Sequence, residues 1–346
     1  MDLKGLLFSL SDTQGVSGGE SSVSKLIKEL IEPYCDSVSI DKLGNVIAVK
    51  KSINDVPMTL MLDAHMDQIG LMVTGITDEG FIRFTDITGV DKRTLLTGEV
   101  IIHGKCDVFG VVCCKPPHLT NKEEADEFPP VHKLVIDVGL SKEKAEEIIS
   151  VGDFISLRSK NCELMNGQVC GKSYDNRASV AVIIKTFEEL KNTKLPFNLV
   201  MLASVQEEAG CRGAKTGAYL VNPNEAIILD VTFAHTPDAS KDETGQIGKG
   251  PMIGYASTIN RNIYNKLVKL ARTKKIPYQL EIMAGSTGTN TDRIQITRDG
   301  IPAGLISIPL KYMHTGIETI SLTDLENTVK LLSAYILQKR EEWAND

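Results

Sequence analysis

The sequence predicts an α/β protein in which a mixed, largely parallel sheet is flanked by helices and interrupted by a small β-rich insertion. Near both ends of the chain, apolar runs typical of buried strands alternate with stretches of helical periodicity. Each of these apolar runs stops at a polar residue, whereas the middle of the chain holds short β-rich runs broken by glycine and proline. With 346 residues, of which 42% are hydrophobic, the chain can bury such a core.

The first helix and the first buried strand are predicted close to the amino end. After the turn Gly18-Gly19, apolar residues follow helical spacing at Val23, Leu26, Ile27, Leu30 and Ile31. The run 57–64 is then almost continuously apolar, as expected for a strand buried on both faces of a parallel sheet. His65 follows directly, at the predicted carboxyl end of that strand.

Two later runs repeat this arrangement of an apolar strand followed by polar residues. The run 198–205 is followed by Gln206, Glu207 and Glu208, and the run 225–229 is followed by Asp230. A further strand over 303–309 is followed by a loop that contains His314. We therefore expect several potential ligands to lie at the same edge of the sheet.

Helices are predicted between and after these strands. Helical spacing is shared by Val180, Ile183, Ile184, Phe187 and Leu190, and again by Ile263, Leu267 and Leu270. The last helix, with apolar residues from Leu325 to Ile336 on one face, is expected to begin with a capping box formed by Thr323 and Glu326.

Residues 68–164 are predicted to form a separate, inserted domain. Short β-rich runs such as 80–84, 100–103 and 108–112 are separated by turns. Because a predicted strand ends before this segment and a predicted helix begins after it, the simplest organisation is one α/β domain, formed by 1–67 and 165–346, that carries the insertion.

Polar groups at several strand ends should converge on one crevice, since open α/β sheets bind ligands beyond the carboxyl ends of their strands. The five candidate ligands are His65, Asp175, Glu208, Asp230 and His314. Two imidazoles and three carboxylates suit a pair of zinc or cobalt ions, with one bridging carboxylate and one imidazole on each ion. Two divalent cations would balance three carboxylates and one bridging hydroxide, which leaves a buried site close to neutral.

Two further residues have predicted roles beside these ligands. Asp67, two residues past His65, can accept a hydrogen bond from the imidazole and so set its tautomer. Glu207 precedes the candidate ligand Glu208, and it can face the substrate as a general base. His235 follows Asp230 closely and could also reach the site, although a loop histidine has many other roles.

Charge and cysteine content exclude several classes of function. A net charge of -7 without a basic cluster argues against nucleic acid or an anionic membrane as a partner. Seven scattered cysteines form neither a disulfide framework nor a CxxC zinc site. No apolar run is long enough to cross a bilayer and the first residues do not resemble a signal peptide, so we expect a cytoplasmic protein.

Five segments of the chain resemble the glutamyl aminopeptidase, or tetrahedral aminopeptidase, family of cocatalytic metallopeptidases, some members of which are labelled endoglucanases. The matching segments are 63–70 (DAHMDQIG), 173–177 (SYDNR), 206–213 (QEEAGCRG), 229–232 (LDVT) and 311–314 (KYMH). The resemblance covers nearly the whole chain. Three positions depart from the family pattern: Gln68 and Asn176 stand where acidic residues are common, and Lys311 stands where arginine is frequent.

The resemblance implies a zinc-peptidase-like fold with an inserted, β-barrel-like dimerisation domain, and dimers that assemble into a dodecamer. It also implies that His65, Asp175, Glu208, Asp230 and His314 are the metal ligands, with Asp175 as the bridge. Glu207 would be the general base, and Asp67 would orient His65. None of the three departures removes one of these residues.

The hypothesis is a dinuclear metal aminopeptidase that removes residues from peptides with a free amino end. Two ions, zinc or else cobalt, would hold a bridging hydroxide whose proton Glu207 has taken. The same metal site could instead serve an amidohydrolase, a deacylase or an endoglucanase, although a glycosidase needs two free carboxylates. A non-catalytic scaffold is a further alternative, which the presence of all five ligands and the base weakens.

Overall fold

The largest element of the fold is an eight-stranded sheet, seen in a computed structural model that describes residues 2–55, 57–119, 128–237 and 239–343. Its central strands are parallel, and the pairs nearer its edges include antiparallel ones. In order across the sheet, the strands are β1 (Ser37–Ile40), β2 (Val46–Lys50), β12 (Asn198–Ser204), β3 (Thr59–His65), β13 (Glu225–Phe233), β16 (Ala303–Leu310), β14 (Met252–Tyr255) and β15 (Gln279–Ile282).

Helices cover both faces of this sheet. The α-helices of the main body are α1 (Leu3–Asp12), α2 (Ser21–Ile31), α5 (Tyr174–Glu189), α6 (Arg212–Val221), α7 (Arg261–Thr273), α8 (Thr291–Ile294) and α9 (Leu322–Glu342). Successive residues of β3 point to opposite faces, so Leu60 and Leu62 pack in one apolar core and Met61 in the other. A strand buried on both faces is continuously apolar for this reason, as the sequence predicted.

The first six strands after β3 form a closed barrel. In order around the barrel, its strands are β4 (Leu71–Ile76), β5 (Ile82–Asp86), β8 (Val135–Asp137), β7 (Asp107–Cys113), β6 (Glu99–His103) and β9 (Phe154–Leu157). Two short helices accompany them, α3 (Lys92–Leu95) and α4 (Lys142–Ile148). The barrel has its own apolar core, which includes Leu71, Phe84 and Ile136. The predicted fold class, a largely parallel sheet flanked by helices with a small β-barrel, is confirmed.

A three-stranded sheet lies beside the main body and was not predicted from the sequence. Its strands, in order, are β10 (Cys162–Glu163), β11 (Gln168–Gly171) and β17 (Glu318–Ser321). Single 3-10 turns lie at Glu32–Tyr34, Pro117–Leu119, Val131–Lys133 and Met165–Gly167. Strand β11, just before helix α5, pairs with strand β17, just before helix α9, so the small sheet connects the starts of these two helices.

Two local predictions differ from the structure. Strand β13 continues to Phe233, so Asp230 lies within the strand rather than after its end. The predicted capping box at Thr323 and Glu326 is wrong, because helix α9 begins at Leu322 and its N-cap residue makes no side-chain hydrogen bond. Asp324 instead accepts hydrogen bonds from the backbone N–H groups of Gly248 and Gly250, at 2.6 and 2.7 Å.

None of the helices in the described ranges combines the length and the apolar character that a bilayer-spanning segment requires.

Candidate metal centre

A cavity of about 500 Å³ opens beyond the carboxyl ends of β3 and β12 and beside the last residues of β13. All five candidate ligands and the candidate base line this cavity: His65, Asp175, Glu207, Glu208, Asp230 and His314. These residues come from chain positions up to 249 apart. The parallel pairing of β3 with β12 and β13 brings together His65, the two glutamates and Asp230.

One group of potential donor atoms surrounds His65. Its Nε2 atom lies 3.1 Å from Oδ1 of Asp175 and 3.7 Å from Oδ1 of Asp230. Donor atoms of these three residues all lie within 4.8 Å of one another, and all three side chains are buried. One imidazole and two carboxylates at this spacing can hold a divalent cation.

A second group surrounds His314. Its Nε2 atom lies 3.2 Å from Oε1 of Glu208 and 3.3 Å from Oδ2 of Asp175. The two carboxylate oxygens of Asp175 therefore face different histidines, Oδ1 facing His65 and Oδ2 facing His314. A carboxylate shared in this way suits a bridge between two cations.

Asp175 is placed by the irregular start of helix α5. Its backbone dihedral angles and those of Asn176 are not helical. The side chain of Asn176 donates a hydrogen bond of 2.9 Å to the carbonyl oxygen of Leu229, which precedes Asp230 on β13. The amide of Asn176 can donate this bond. An ionised aspartate, which the family pattern often has at this position, has no hydrogen to donate.

Asp67 contacts more of the site than the sequence predicted. Nδ1 of His65 lies 3.2 Å from its backbone carbonyl oxygen and 3.3 Å from Oδ1 of its carboxylate. The carboxylate also accepts hydrogen bonds from the backbone N–H groups of Glu207 and Glu208, at 2.9 and 3.2 Å, and from the hydroxyl of Ser17 at 2.6 Å. Asp67 thus contacts both His65 and the loop that carries the two glutamates.

Glu207 lies at the rim of the first group. Its Oε2 atom is 4.0 Å from Nε2 of His65, and its Oε1 atom accepts a hydrogen bond from the thiol of Cys211 at 3.3 Å. Burial raises the pKa of Glu207 to about 7, and the adjacent Glu208 adds to this effect. His65, Glu207 and Glu208 form a third possible donor group, so distances alone do not separate a base from a ligand here.

Glu318 is a buried residue of the site that the sequence did not reveal. Its Oε2 atom accepts a hydrogen bond from the backbone N–H of Asp175 at 3.1 Å, and its Oε1 atom accepts one from the backbone N–H of His314 at 3.0 Å. Burial, together with the charge of Asp175, raises its pKa to about 8. No local pattern in the sequence indicates this role, because strand β17 was not predicted and the burial of its four residues is seen only in the structure.

Three other residues singled out by the sequence lie beside the site rather than in it. Gln68 is buried, accepts hydrogen bonds from Lys172 and Ser173, and is not among the described residues that line the cavity. Lys311 pairs with Thr319 through backbone hydrogen bonds. His235, whose Nδ1 atom lies 3.5 Å from the hydroxyl of Thr244, is not among the cavity-lining residues in the described part of the chain.

The electrostatics of the cavity favour cations. Among the described residues that line it, seven carry carboxylates and none is a lysine or arginine. Burial and neighbouring carboxylates raise the pKa of Asp230 well above its usual value. Burial would lower the pKa of His314, but Asp175 and Glu208 raise it to about 11. Imidazole nitrogens and carboxylate oxygens, crowded together at this charge, form a donor set that fits divalent metal ions.

The chain is similar in sequence to proteins of a known family. Residues 44–331 match the family model described as M42 glutamyl aminopeptidase. A lysyl aminopeptidase of Pyrococcus furiosus is 33% identical over 337 residues, which is 96% of each chain.

Similar solved structures are also known. A TET aminopeptidase of the marine sediment archaeon Thaumarchaeota archaeon SCGC AB-539-E09 superposes with a TM-score of 0.92 at 33% identity, over 99% of this chain and 98% of the other. A Pyrococcus horikoshii TET1 peptidase, described as assembling into a tetrahedron or a large octahedral shell, gives 0.84 at 30% identity, over 96% and 98%. A Thermotoga maritima protein described as an endoglucanase gives 0.78 at 30% identity, also over 96% and 98%.

Proposed function

The chain belongs to the M42 glutamyl aminopeptidase family and is an aminopeptidase, and from this premise we propose that it hydrolyses peptides with a pair of divalent metal ions. Membership of a metallopeptidase family implies divalent metal. The number of ions, their identity and the role of each residue are the proposal. Zinc is the proposed metal, and cobalt is the alternative with the same ligand preference.

His65 and Asp230 would hold one ion, His314 and Glu208 the other, and Asp175 would bridge the two. When bound, the ions act as Lewis acids, which lowers the pKa of water and polarises a peptide carbonyl. The observation that carries this proposal is the placement of Asp175, whose two oxygens face two different histidines at 3.1 and 3.3 Å.

Glu207 is the proposed general base. Its carboxylate lies next to both groups of donor atoms, and a pKa near 7 suits a group that must take up a proton and then release it. It would accept a proton from the water that attacks the peptide carbonyl and return that proton to the departing amine. Asp67 would keep His65 in the tautomer whose Nε2 atom faces the metal, since it contacts Nδ1.

A free amino end on the substrate fits the charge of the cavity. Asp242, Glu243 and Glu281 line it in addition to the proposed ligands and base, and the hydroxyls of Thr232 and Ser307 donate hydrogen bonds to Glu281. These carboxylates would attract the α-ammonium group of a peptide. An internal peptide bond has no such group, so attack would be confined to the first residue.

Substrate comparison with and without metal tests this function. The purified protein would be assayed on aminoacyl-anilides, on their N-acetylated counterparts and on cellulose, before and after treatment with a chelator. We expect release only from substrates with a free amino end, with loss of activity on chelation and recovery with zinc or cobalt. Cleavage of the acetylated substrates would indicate an amidohydrolase or deacylase instead, and cleavage of cellulose would indicate an endoglucanase.

Assembly into a homo-oligomer is part of the proposal. One similar TET1 structure is described as a dodecamer, and a Pyrococcus horikoshii TET1 peptidase is described as assembling into a tetrahedron or a large octahedral shell. We infer that this chain also forms a homo-oligomer, as dimers that build a dodecamer. Residues 68–164, which contain the barrel, are the proposed dimerisation domain. A cytoplasmic location also stays a prediction.

A further inference from the structure

A loop of the barrel contacts His314, one of the candidate ligands of the metal centre. Between β5 and α3, the carbonyl oxygen of Gly89 lies 3.0 Å from Nδ1 of His314. A carbonyl oxygen can only accept a hydrogen bond, so this contact places the proton of the neutral imidazole on Nδ1. The lone pair is then on Nε2, the atom that faces Asp175 and Glu208.

Glycine at position 89 is required by the closeness of this contact. Its φ angle is +44°, and a Cβ atom built there would lie 2.5 Å from Nδ1 and 2.8 Å from Cε1 of the His314 ring. Real Cβ atoms essentially never make contacts that short, so a side chain at this position would have to displace the ring.

The barrel holds this loop on both sides of Gly89. Before it, the N–H of Ile87 donates a hydrogen bond of 2.9 Å to the carbonyl oxygen of Gly70. After it, Val90 is buried in the barrel core, and Asp91 caps helix α3 by accepting from the N–H of Arg93. The position of the Gly89 carbonyl is therefore set by the insertion and not by the main sheet.

The two candidate histidines differ in how they are oriented. His65 is contacted at Nδ1 by Asp67, two residues further along the same segment of the main body. His314 lies in a loop with a positive φ of +64°, and Glu318 accepts only its backbone N–H. The ring of His314 is thus oriented by Gly89, which is 225 residues away in the chain.

We propose that the barrel loop around Gly89 is a positioning element of the His314 metal site. Its carbonyl selects the tautomer of His314 and holds the ring so that Nε2 faces Glu208 and Asp175. The insertion would then contribute to metal binding in addition to its proposed role in assembly. This inference rests on the proposed function, since it concerns one of the two proposed metal sites.

The variant Gly89→Ala tests the inference, and Gly139→Ala is its matched control. Both glycines belong to the barrel segment and have a positive φ, +44° and +68°, but a Cβ atom at position 139 has nothing within 4 Å. Zinc affinity would be measured on the full-length proteins by competition with a chromophoric chelator. In Gly89→Ala we expect one of two zinc equivalents to bind about 10- to 100-fold more weakly, as for other lost partners of metal-binding histidines, with the second unchanged. In Gly139→Ala both should bind as in the wild type.

Equal zinc affinity in Gly89→Ala and the wild type would overturn the inference while leaving the proposed function intact. A wild-type chain that binds no zinc would overturn the proposed function, and this inference with it. Should Gly89→Ala fail to fold, a crystal structure of the zinc-loaded wild type decides. A hydrogen bond between Gly89 and Nδ1 of His314 supports the inference, and a separation of the two atoms beyond about 3.5 Å overturns it.

Discussion

Glu207 and Glu208 are adjacent in the chain, but their carboxylates have different neighbours. Oε1 of Glu208 lies 3.2 Å from His314, whereas Oε1 of Glu207 accepts a hydrogen bond from Cys211. The carboxylate of Asp67 accepts hydrogen bonds from the backbone N–H groups of both residues. The backbone of the loop therefore directs the two side chains to different neighbours. These different neighbours suit metal binding by Glu208 and proton transfer by Glu207, as proposed above.

Replacing Glu207 by glutamine should remove the base and keep the metal. We expect Glu207→Gln to bind two zinc equivalents and to lose turnover by about 10²- to 10⁴-fold, the usual contribution of a general base. Zinc content and kcat would be measured on the same preparation. Glu208→Gln is the comparison, and it should lose zinc as well as activity. Wild-type turnover in Glu207→Gln would refute its assigned role.

Lys172 should make stability depend on pH. Burial lowers its pKa from an ordinary 10.5 to about 7, although it donates to the carbonyl oxygen of Ser11 and to Gln68. Between these two values the unfolded chain binds the proton and the folded chain does not, so the free energy of unfolding should rise with pH from about 7 towards 10. Each unit of pKa difference corresponds to about 1.4 kcal/mol.

Denaturant unfolding at several pH values would measure this effect. The variant Lys172→Met should lose most of the increase, and Lys25→Met, at an exposed position, controls for the loss of one charge. Parallel pH profiles for Lys172→Met and the wild type would show that Lys172 is not the cause.

At the scale of elements, the buried strands could be predicted because burial on both faces demands continuous apolar runs. Strands β3 and β12 end where those runs meet polar residues, at His65 and Ser204. The prediction was less accurate for β13, which continues past Asp230, because residues with polar side chains can continue a strand when these face a cavity.

Contacts between remote elements could not be predicted from the sequence. Glu318 binds the backbone of Asp175, and Gly89 binds the ring of His314, across 143 and 225 residues of chain. Neither contact leaves a local pattern, since each depends on how two elements pack. The capping box was placed wrongly because the helix begins at Leu322, before Thr323, and the sequence does not show where a helix starts in three dimensions. Nor does the sequence show that the side chain of Asp324, in the first turn, binds the remote Gly248–Gly250 turn.

The junction of α9 with this turn gives a test at the same scale. Asp324→Ala would remove the acceptor of the backbone N–H groups of Gly248 and Gly250, of which Gly250 is buried, so it should lower the free energy of unfolding by about 1 to 3 kcal/mol. Glu326→Ala should change it by less than about 0.5 kcal/mol, because Glu326 is exposed and caps nothing. Urea unfolding would compare the two. If Glu326→Ala lowered the free energy of unfolding more than Asp324→Ala did, Glu326 would cap the helix after all, contrary to the structure.

At the scale of the whole molecule, the proposed metal centre joins parts of the chain that fold into different layers. The main sheet supplies His65 and Asp230, helix α5 supplies Asp175, and the barrel contacts His314 through Gly89. Bound cations would therefore stabilise the arrangement of the barrel against the sheet as well as the site itself.

Removal of metal should destabilise the entire fold. A ligand at 100 times its Kd stabilises the folded state by about 2.7 kcal/mol for each site, so chelation should lower Tm by several degrees. Scanning calorimetry at constant protein concentration, before and after chelation and after return of zinc, would measure the change. A Tm that does not respond to chelation would show that the fold does not depend on bound metal.

Anomalous X-ray scattering from crystals grown with zinc tests the central claim most directly, because it locates each ion independently of activity. We expect two zinc peaks per chain within the cavity, one between His65 and Asp230 and one between His314 and Glu208, with Asp175 contacting both. A single peak, or peaks away from these residues, would contradict the dinuclear site.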